Sequence, residues 1–453
     1  MLAFPYYVRI FYPDTKANVI VIDSSNISQA NFDILGMTCT ACEEHVKHAV
    51  SQLPGFIEAS ADYKTGKASV KFDQSKTTLV QVTKAINETG YKVTHHELGR
   101  AEFIDEKTII VGGKDEYTAL KLIIATGSTT SIPAIKGLIE TCYLTNDTLF
   151  DLEQLPESLT IIGGGYIGLE IAQAYQRFGS KVRIVEYFDR VLNSQTADIA
   201  DEITKYLSSE GIEIHTDVKA EKVYSQKGKV ILEGTQNGSK VIFESTHILI
   251  AAGRKPNTQN LGLEKINVQT LKSGHIIVNE FLETNVKNIY AIGDCNPNPP
   301  FVYAAAYEGK LAVQNAFAGA QKKTDYTAMP WVIFTDPQVA GVGMEEEEAR
   351  KNNLPFEVST IPLSEVPRSQ AALDTRGFIK LIRNPETDKL LGARIVAPEG
   401  GELIMEICLA IKYGITVSEL ASAFHPYLTL SEAIKLAAIG FGKDVSKLSC
   451  CAA

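Results

Sequence analysis

Two clusters of residues in this chain have the types and spacing to do chemistry. Cys39 and Cys42 form a Cys-x-x-Cys pair in the loop Gly36-Met37-Thr38-Cys39-Thr40-Ala41-Cys42, and a helical pattern follows from Glu43. Thiols at a helix N-terminus ionise readily, and two thiolates hold a soft cation in near-linear geometry. Such a pair does not choose among Hg(II), Cu(I), Zn(II) and Cd(II). The alternative is a redox pair of thioredoxin type, which the surrounding order of elements disfavours. The second cluster is Gly163, Gly165 and Gly168, which fill the G-x-G-x-x-G positions of GGGYIGLE. Glycines so spaced allow a tight turn, close approach of backbone to a pyrophosphate, and close packing of helix on strand. The helix N-terminus offers the phosphates free N–H donors. Glu186 ends the next apolar run, 23 residues after Gly163, where a carboxylate accepts from a ribose 2′-OH. Its charge would oppose a 2′-phosphate, so it favours NADH over NADPH. The alternative is a glycine-rich turn that binds nothing.

These residues need elements to hold them. Around the cysteines, a strand (32–35), a helix (43–53), a hairpin (57–63 and 67–72), a second helix (79–89) and a last strand (91–93) give the order βαββαβ, a ferredoxin-like module. Around the glycines, strand 159–162, the helix from Gly165 and strand 182–185 make a βαβ unit. It continues through helix 199–209, strand 213–215, a hairpin at Lys227-Gly228 and strand 248–251, ending at Gly253. Upstream lie short strands (101–103, 108–111) and a buried run, 122–124, that closes in Ala125-Thr126-Gly127. Downstream, strand 289–292 ends in Gly293-Asp294 and leads to helix 303–317. The last block reads as strands 331–334, 378–382 and 392–396, then helices 402–413, 417–423 and 430–436. The acidic run 345–348 suits a helix start.

Composition narrows the function classes. With 453 residues, 45% hydrophobic and 22% charged, the chain has the makings of a multidomain globular protein. A net charge of −10 argues against nucleic acid or an anionic membrane as the main partner. The nearest approach to a membrane-spanning run, 403–415, is interrupted by Glu406 and Lys412. Residues 1–12 lack the basic start and cleavage site of a signal peptide. The seven cysteines do not form a disulfide-framework pattern, so a cytoplasmic protein is expected.

The motifs ATG, GGGYIGLE, AIGDC, FTDPQVAGVG, VPR, DTRGFIKL, HPYLTLSE and KDVSKLSCCAA resemble the mercuric reductases, a branch of the class I pyridine nucleotide-disulfide oxidoreductases, and GMTCxxC resembles their heavy-metal-associated domain. The resemblance implies α/β and α+β architecture in several domains: an extension (1–30), the metal-binding module (31–95), part of an FAD domain (96–157 and 278–325), an NAD(P) domain (158–277), and a dimerisation domain with a Cys-Cys tail (326–453). It implies FAD, NADH or NADPH, Hg(II) as substrate, and a homodimer. In that scheme Thr126, Gly127, Gly293 and Asp294 face the flavin, Gly253 belongs to the nicotinamide site, Tyr166 lies over the nicotinamide and Glu170 sits near the flavin. Tyr427 stands where disulfide reductases carry their catalytic histidine and would assist the metal. Cys39 and Cys42 bind Hg(II), and Cys450 and Cys451 pass it to the partner's active site. One part is missing. Between Val93 and Leu122 neither the family's first glycine turn nor its C-x-x-x-x-C pair occurs, a gap that reads as a deletion. Two rival functions follow: an inactive Hg(II)-binding protein, and a dihydrolipoamide-type dehydrogenase, which Tyr427 and the absent pair disfavour.

Overall fold

The structure, a computed structural model, describes residues 27–74, 76–98, 101–113 and 115–443. Most of the expected extension, 1–26, and the pair Cys450 and Cys451 lie outside the described residues. The chain divides into two compact units, Met1–Thr129 with Arg254–Thr324, and Thr130–Gly253 with Asp325–Ala453.

In the first unit, Ile27–Leu35, Thr40–Ser51, Phe56–Asp62, Lys67–Asp73, Leu79–Glu88 and Lys92–Leu98 run strand, helix, strand, strand, helix, strand. The strands form one antiparallel sheet in which the first strand pairs with the third and the fourth, and the second pairs with the third. Period-two alternation turns Ala30, Phe32 and Ile34, and likewise Ala68, Val70 and Phe72, onto one face, where Val46, Val50, Val82 and Ile86 of the helices cover them. Thr78 and Gln81 close a capping box at the start of the second helix.

The remainder of this unit holds a three-stranded antiparallel sheet, Ala101–Phe103, Thr108–Val111 and Asp115–Thr118. It also holds a parallel pair, Leu122–Ile124 beside Ile289–Ala291. The run 122–124, expected to be buried, is so only at Ile124; Leu122 and Ile123 are half-buried. The reason is the width of the sheet, since the pair has no further strand on either side among the described residues.

In the second unit a parallel sheet runs Glu213–His215, Lys181–Val185, Ser158–Ile162, His247–Ile250, with every pairing parallel. The central strand is buried on both faces, which suits its unbroken Leu-Thr-Ile-Ile sequence. An antiparallel meander, Val218–Gln226, Lys229–Gln236 and Ser239–Ser245, precedes the last parallel strand. The C-terminal block is a five-stranded antiparallel sheet with helices Gly400–Tyr413, Val417–Ser422 and Glu432–Ile439 packed on it. Two of its strands, Gln338–Gly343 and Glu357–Pro362, were not expected from the pattern. The first contains Gly341 and Gly343, residues of low strand propensity. Gly341 is instead a packing requirement, since a Cβ there would lie 2.4 Å from the Trp331 ring.

Candidate dinucleotide and thiol sites

The glycine turn is built by contact distances. A Cβ on Gly163 (φ +111°) would lie 2.4 Å from the Ala251 carbonyl oxygen, and one on Gly168 would lie 2.1 Å from that of Gly163. Both positions therefore seat helix Tyr166–Phe178 tightly against strands Ser158–Ile162 and His247–Ile250. Gly165 differs: it is the N-cap, no side chain caps the helix, and nothing lies within 4 Å of where its Cβ would be. That open space, beside unpaired helix N–H groups, is a cradle for a pyrophosphate. Glu186 sits at the end of Lys181–Val185 with its carboxylate against the turn; Oε2 accepts from Gly164 N–H at 2.5 Å and Oε1 from Phe188 N–H at 2.9 Å. Each carboxylate oxygen retains acceptor capacity for a ribose hydroxyl. Gly253, with φ +112°, lies just past the end of His247–Ile250, on the other side of the central strand. These residues fit a nicotinamide dinucleotide.

The same helix is fastened along one stripe, since Tyr166, Glu170, Gln173 and Arg177 recur at helical spacing. The ring of Tyr166 lies 5.5 Å from that of Trp331. Glu170 accepts from Phe334 N–H at 2.8 Å, and burial pushes its carboxyl above the usual range. Gln173 exchanges two hydrogen bonds with the Asp336 backbone, and Arg177 pairs with the Asp336 carboxylate at 2.8 Å.

The residues expected on the flavin side collect in the first unit. Asp294 accepts from Ser128 Oγ at 2.6 Å, and Arg254 donates to the same hydroxyl at 2.7 Å. Asn257 fixes the turn by donating from its backbone to Gly127 and from its side chain to Thr126. Gly127, at φ +67°, has open space where a Cβ would be. Glu308, buried in helix Val302–Ala318, accepts from Gly293 N–H, Asn296 and Asn298 and so holds the Gly293-Asp294 turn to the helix start. Sequence reasoning passed over Arg254, Ser128 and Glu308. Arg254 and Ser128 stand within two residues of motif positions, which was the available signal. These groups fit the sugar-alcohol side of a flavin. A second glycine turn for the flavin pyrophosphate is not found among the described residues.

The thiols are close, with Cys39 Sγ and Cys42 Sγ 3.3 Å apart at the start of helix Thr40–Ser51. Cys39 is exposed and Cys42 buried. Hydrogen bonds from Thr38 N–H, the Tyr91 hydroxyl and the Cys39 thiol bring the Cys42 thiol down to about 6. Tyr91 was read only as a strand residue, but the βαββαβ order returns the last strand beside the first loop. Among the described residues no group of three or more His, Cys, Asp or Glu side chains could hold a metal. Tyr427 is half exposed on the loop between Val417–Ser422 and Glu432–Ile439. In the same loop His425 Nε2 lies 2.7 Å from Glu406.

Residues 16–309 match the family described as pyridine nucleotide-disulphide oxidoreductase, and residues 329–438 match its dimerisation domain. The chain belongs to this family of oxidoreductases. It is 40% identical to the mercuric reductase of Staphylococcus aureus over 354 residues, which is 78% of this chain and 64% of that protein. It thus spans less than two thirds of that relative. Against the mercuric reductase of Streptomyces lividans it is 38% identical over 418 residues, 90% of this chain and 86% of the other. Among solved structures it is similar to the Cu(II) complex of the HOCl-induced flavoprotein disulfide reductase RclA from Escherichia coli, with a TM-score of 0.68, 28% identity, and 80% and 86% of the two chains covered. LpdA from Mycobacterium tuberculosis gives a TM-score of 0.67 at 29% identity, with 79% of each chain covered. The family implies FAD and a nicotinamide dinucleotide; the glycine turn fits the latter, and the flavin residues fit part of the former.

The contrast between two glycines can be measured. Gly165→Ala has room for its Cβ and should change the unfolding midpoint far less than Gly168→Ala while weakening NADH binding by about tenfold or more. Gly168→Ala should instead destabilise the chain by about 1–3 kcal/mol, from the overlap with the Gly163 carbonyl. Equal unfolding midpoints in guanidinium would contradict this. For the thiols, alkylation of Cys42 by iodoacetamide should fall as pH drops through about 6, because the folded module holds the thiolate above that point. Tyr91→Phe should move the midpoint upward; an unmoved midpoint would remove Tyr91 from the site.

Proposed function

We propose that this chain reduces Hg(II) with electrons from a nicotinamide dinucleotide, in the reaction NADH + Hg(II) → NAD⁺ + H⁺ + Hg(0). The observation that carries the reading is the close thiol pair Cys39 and Cys42, whose sulfurs lie 3.3 Å apart with the Cys42 thiol lowered, joined to a chain 38–42% identical to mercuric reductases. Soft thiolates select Hg(II), and lowering the Cys42 pKa keeps the capturing form populated near neutral pH. Residues 31–95 then act as a ferredoxin-like heavy-metal-associated domain that collects the substrate. Gly163, Gly165, Gly168 and Gly253 admit the dinucleotide, and Glu186 selects NADH by opposing a 2′-phosphate. Tyr166 would lie over the nicotinamide and Glu170 would sit near the flavin, Thr126, Gly127, Gly293 and Asp294 would hold the flavin's sugar-alcohol chain, and Tyr427 would assist the metal. Cys450 and Cys451 hand Hg(II) to the partner subunit of a homodimer formed through residues 329–438. FAD, when bound, supplies the relay between a two-electron donor and the metal.

The narrow parallel pair Leu122–Ile124 and Ile289–Ala291, and the lack of a glycine turn or C-x-x-x-x-C between Val93 and Leu122, support the reading that the first part of the FAD domain is deleted. No described helix is long and apolar enough to cross a membrane. The relatives favour the reductase over a dihydrolipoamide-type dehydrogenase and over a binding-only protein.

The visible spectrum of the purified chain tests the reading together with NADH oxidation. NADH oxidation that depends on Hg(II) is expected, with the flavin absorbance of the same sample giving the FAD it carries. A colourless protein that binds Hg(II) through Cys39 and Cys42 without turnover would overturn it in favour of sequestration.

A further inference from the structure

A buried set of polar side chains in the second unit has no part in the binding chemistry above, yet it converges on Tyr166. Arg394, in strand Lys389–Ala397, is 5% exposed. Its Nε pairs with Glu345 at 2.7 Å and donates to Gln195 Oε1 at 3.2 Å. Nη1 donates to the carbonyls of Val342 and Ala393, and Nη2 to that of Gly343. All the guanidinium nitrogens are therefore engaged, and the plane is fixed. It lies over the Trp331 ring, 5.4 Å from the centroid.

Two arms run from this group to one residue. Through Trp331 it reaches the ring of Tyr166, 5.5 Å away. Through Gln195, itself buried, it reaches the Tyr166 hydroxyl, to which Gln195 Nε2 donates at 3.3 Å. The loop carrying Gln195 is tied to the glycine turn as well: Gln195 N–H donates to Leu192 O at 2.7 Å, and Leu192 N–H donates to Gly164 O at 3.0 Å. Gly341 keeps the floor flat, since a Cβ there would lie 2.8 Å from Arg394 Cδ and closer still to Trp331.

We infer that Arg394 is a positioning residue for the nicotinamide end of the dinucleotide site, acting on Tyr166 through Gln195 and Trp331. The inference rests on reading the glycine turn as a nicotinamide-dinucleotide site; with Glu186 taking the adenosine ribose, Tyr166 at the helix start is left to the nicotinamide arm. The C-terminal sheet then fixes the side chain that the nicotinamide ring must meet.

The test compares NAD⁺ with ADP-ribose, which keeps the adenosine and pyrophosphate but lacks the nicotinamide ring. Both are titrated into the full chain, by calorimetry and by the emission of Trp331, the only tryptophan. NAD⁺ should change that emission and ADP-ribose should not. Gln195→Ala should shift the dissociation constant of NAD⁺ about three- to tenfold, the value of one hydrogen bond, and leave that of ADP-ribose within about twofold. Arg394→Lys keeps the charge beside Glu345 but loses the fork, and should reproduce Gln195→Ala. In a Tyr166→Phe background Gln195→Ala should be silent. Equal shifts for both ligands, no shift for either, or an undiminished effect in the Tyr166→Phe background would overturn the inference. If the unaltered chain binds neither ligand, the dinucleotide reading itself falls and takes the inference with it.

Discussion

Where helix Tyr166–Phe178 leaves the glycine turn, the backbone of Gly168 approaches the Gly163 carbonyl so closely that a methyl group would lie 2.1 Å from the oxygen. That approach sets the height of the helix above the sheet, and the rest of the second unit follows from it. With the helix seated there, its N-terminus points its free N–H groups past Gly165 and its stripe of Tyr166, Glu170, Gln173 and Arg177 meets residues 331–336. The dinucleotide turn and the C-terminal sheet are in this way parts of one mechanical assembly. Buried charges extend it: Lys380, 1% exposed, is raised in pKa because Glu345, Asp198 and Glu346 outweigh the cost of burial, and Glu345 also pairs with Arg394. Removing one member of such a set leaves another charge buried without compensation.

The first unit works on a different principle. Its thiol pair depends on a loop at a helix start and on donors brought from the far end of the module, so that the acidity of Cys42 is set locally by Thr38, Tyr91 and Cys39. The flavin-side turn depends on Glu308, a buried carboxylate satisfied by three N–H donors, with Asp294 held outward to Ser128 and Arg254. The two-stranded parallel pair beneath that turn is narrow for a sheet type that is ordinarily covered on both faces.

Much of this was legible in the residues. The order βαββαβ follows from alternation at Phe32 and Ile34 and from helical spacing at Val46 and Val50, and the glycine turn follows from three glycines between an apolar strand and a helix. Other parts were hidden for physical reasons. Strand Gln338–Gly343 carries glycines, which have low strand propensity, whereas the demand on Gly341 comes from Trp331 and Arg394, ten and fifty-three residues away. Lys380 and Arg394 look like surface residues on composition alone and are buried because partners from other segments neutralise them. Tyr91 gives no local sign of its role, since only the return of the last strand brings it to Cys42. The half exposure of Leu122 and Ile123 likewise depends on which strands are absent beside them, a property of the sheet and not of the run.

On the proposed reading, an intact nicotinamide-dinucleotide unit is held by the C-terminal sheet. Isothermal titration of NADH into the purified chain, with flavin content read from the absorbance of the same sample, tests that most directly. One NADH bound per chain, whatever the flavin content, is expected. No binding, or binding that scales with the fraction of chains carrying flavin, would contradict it.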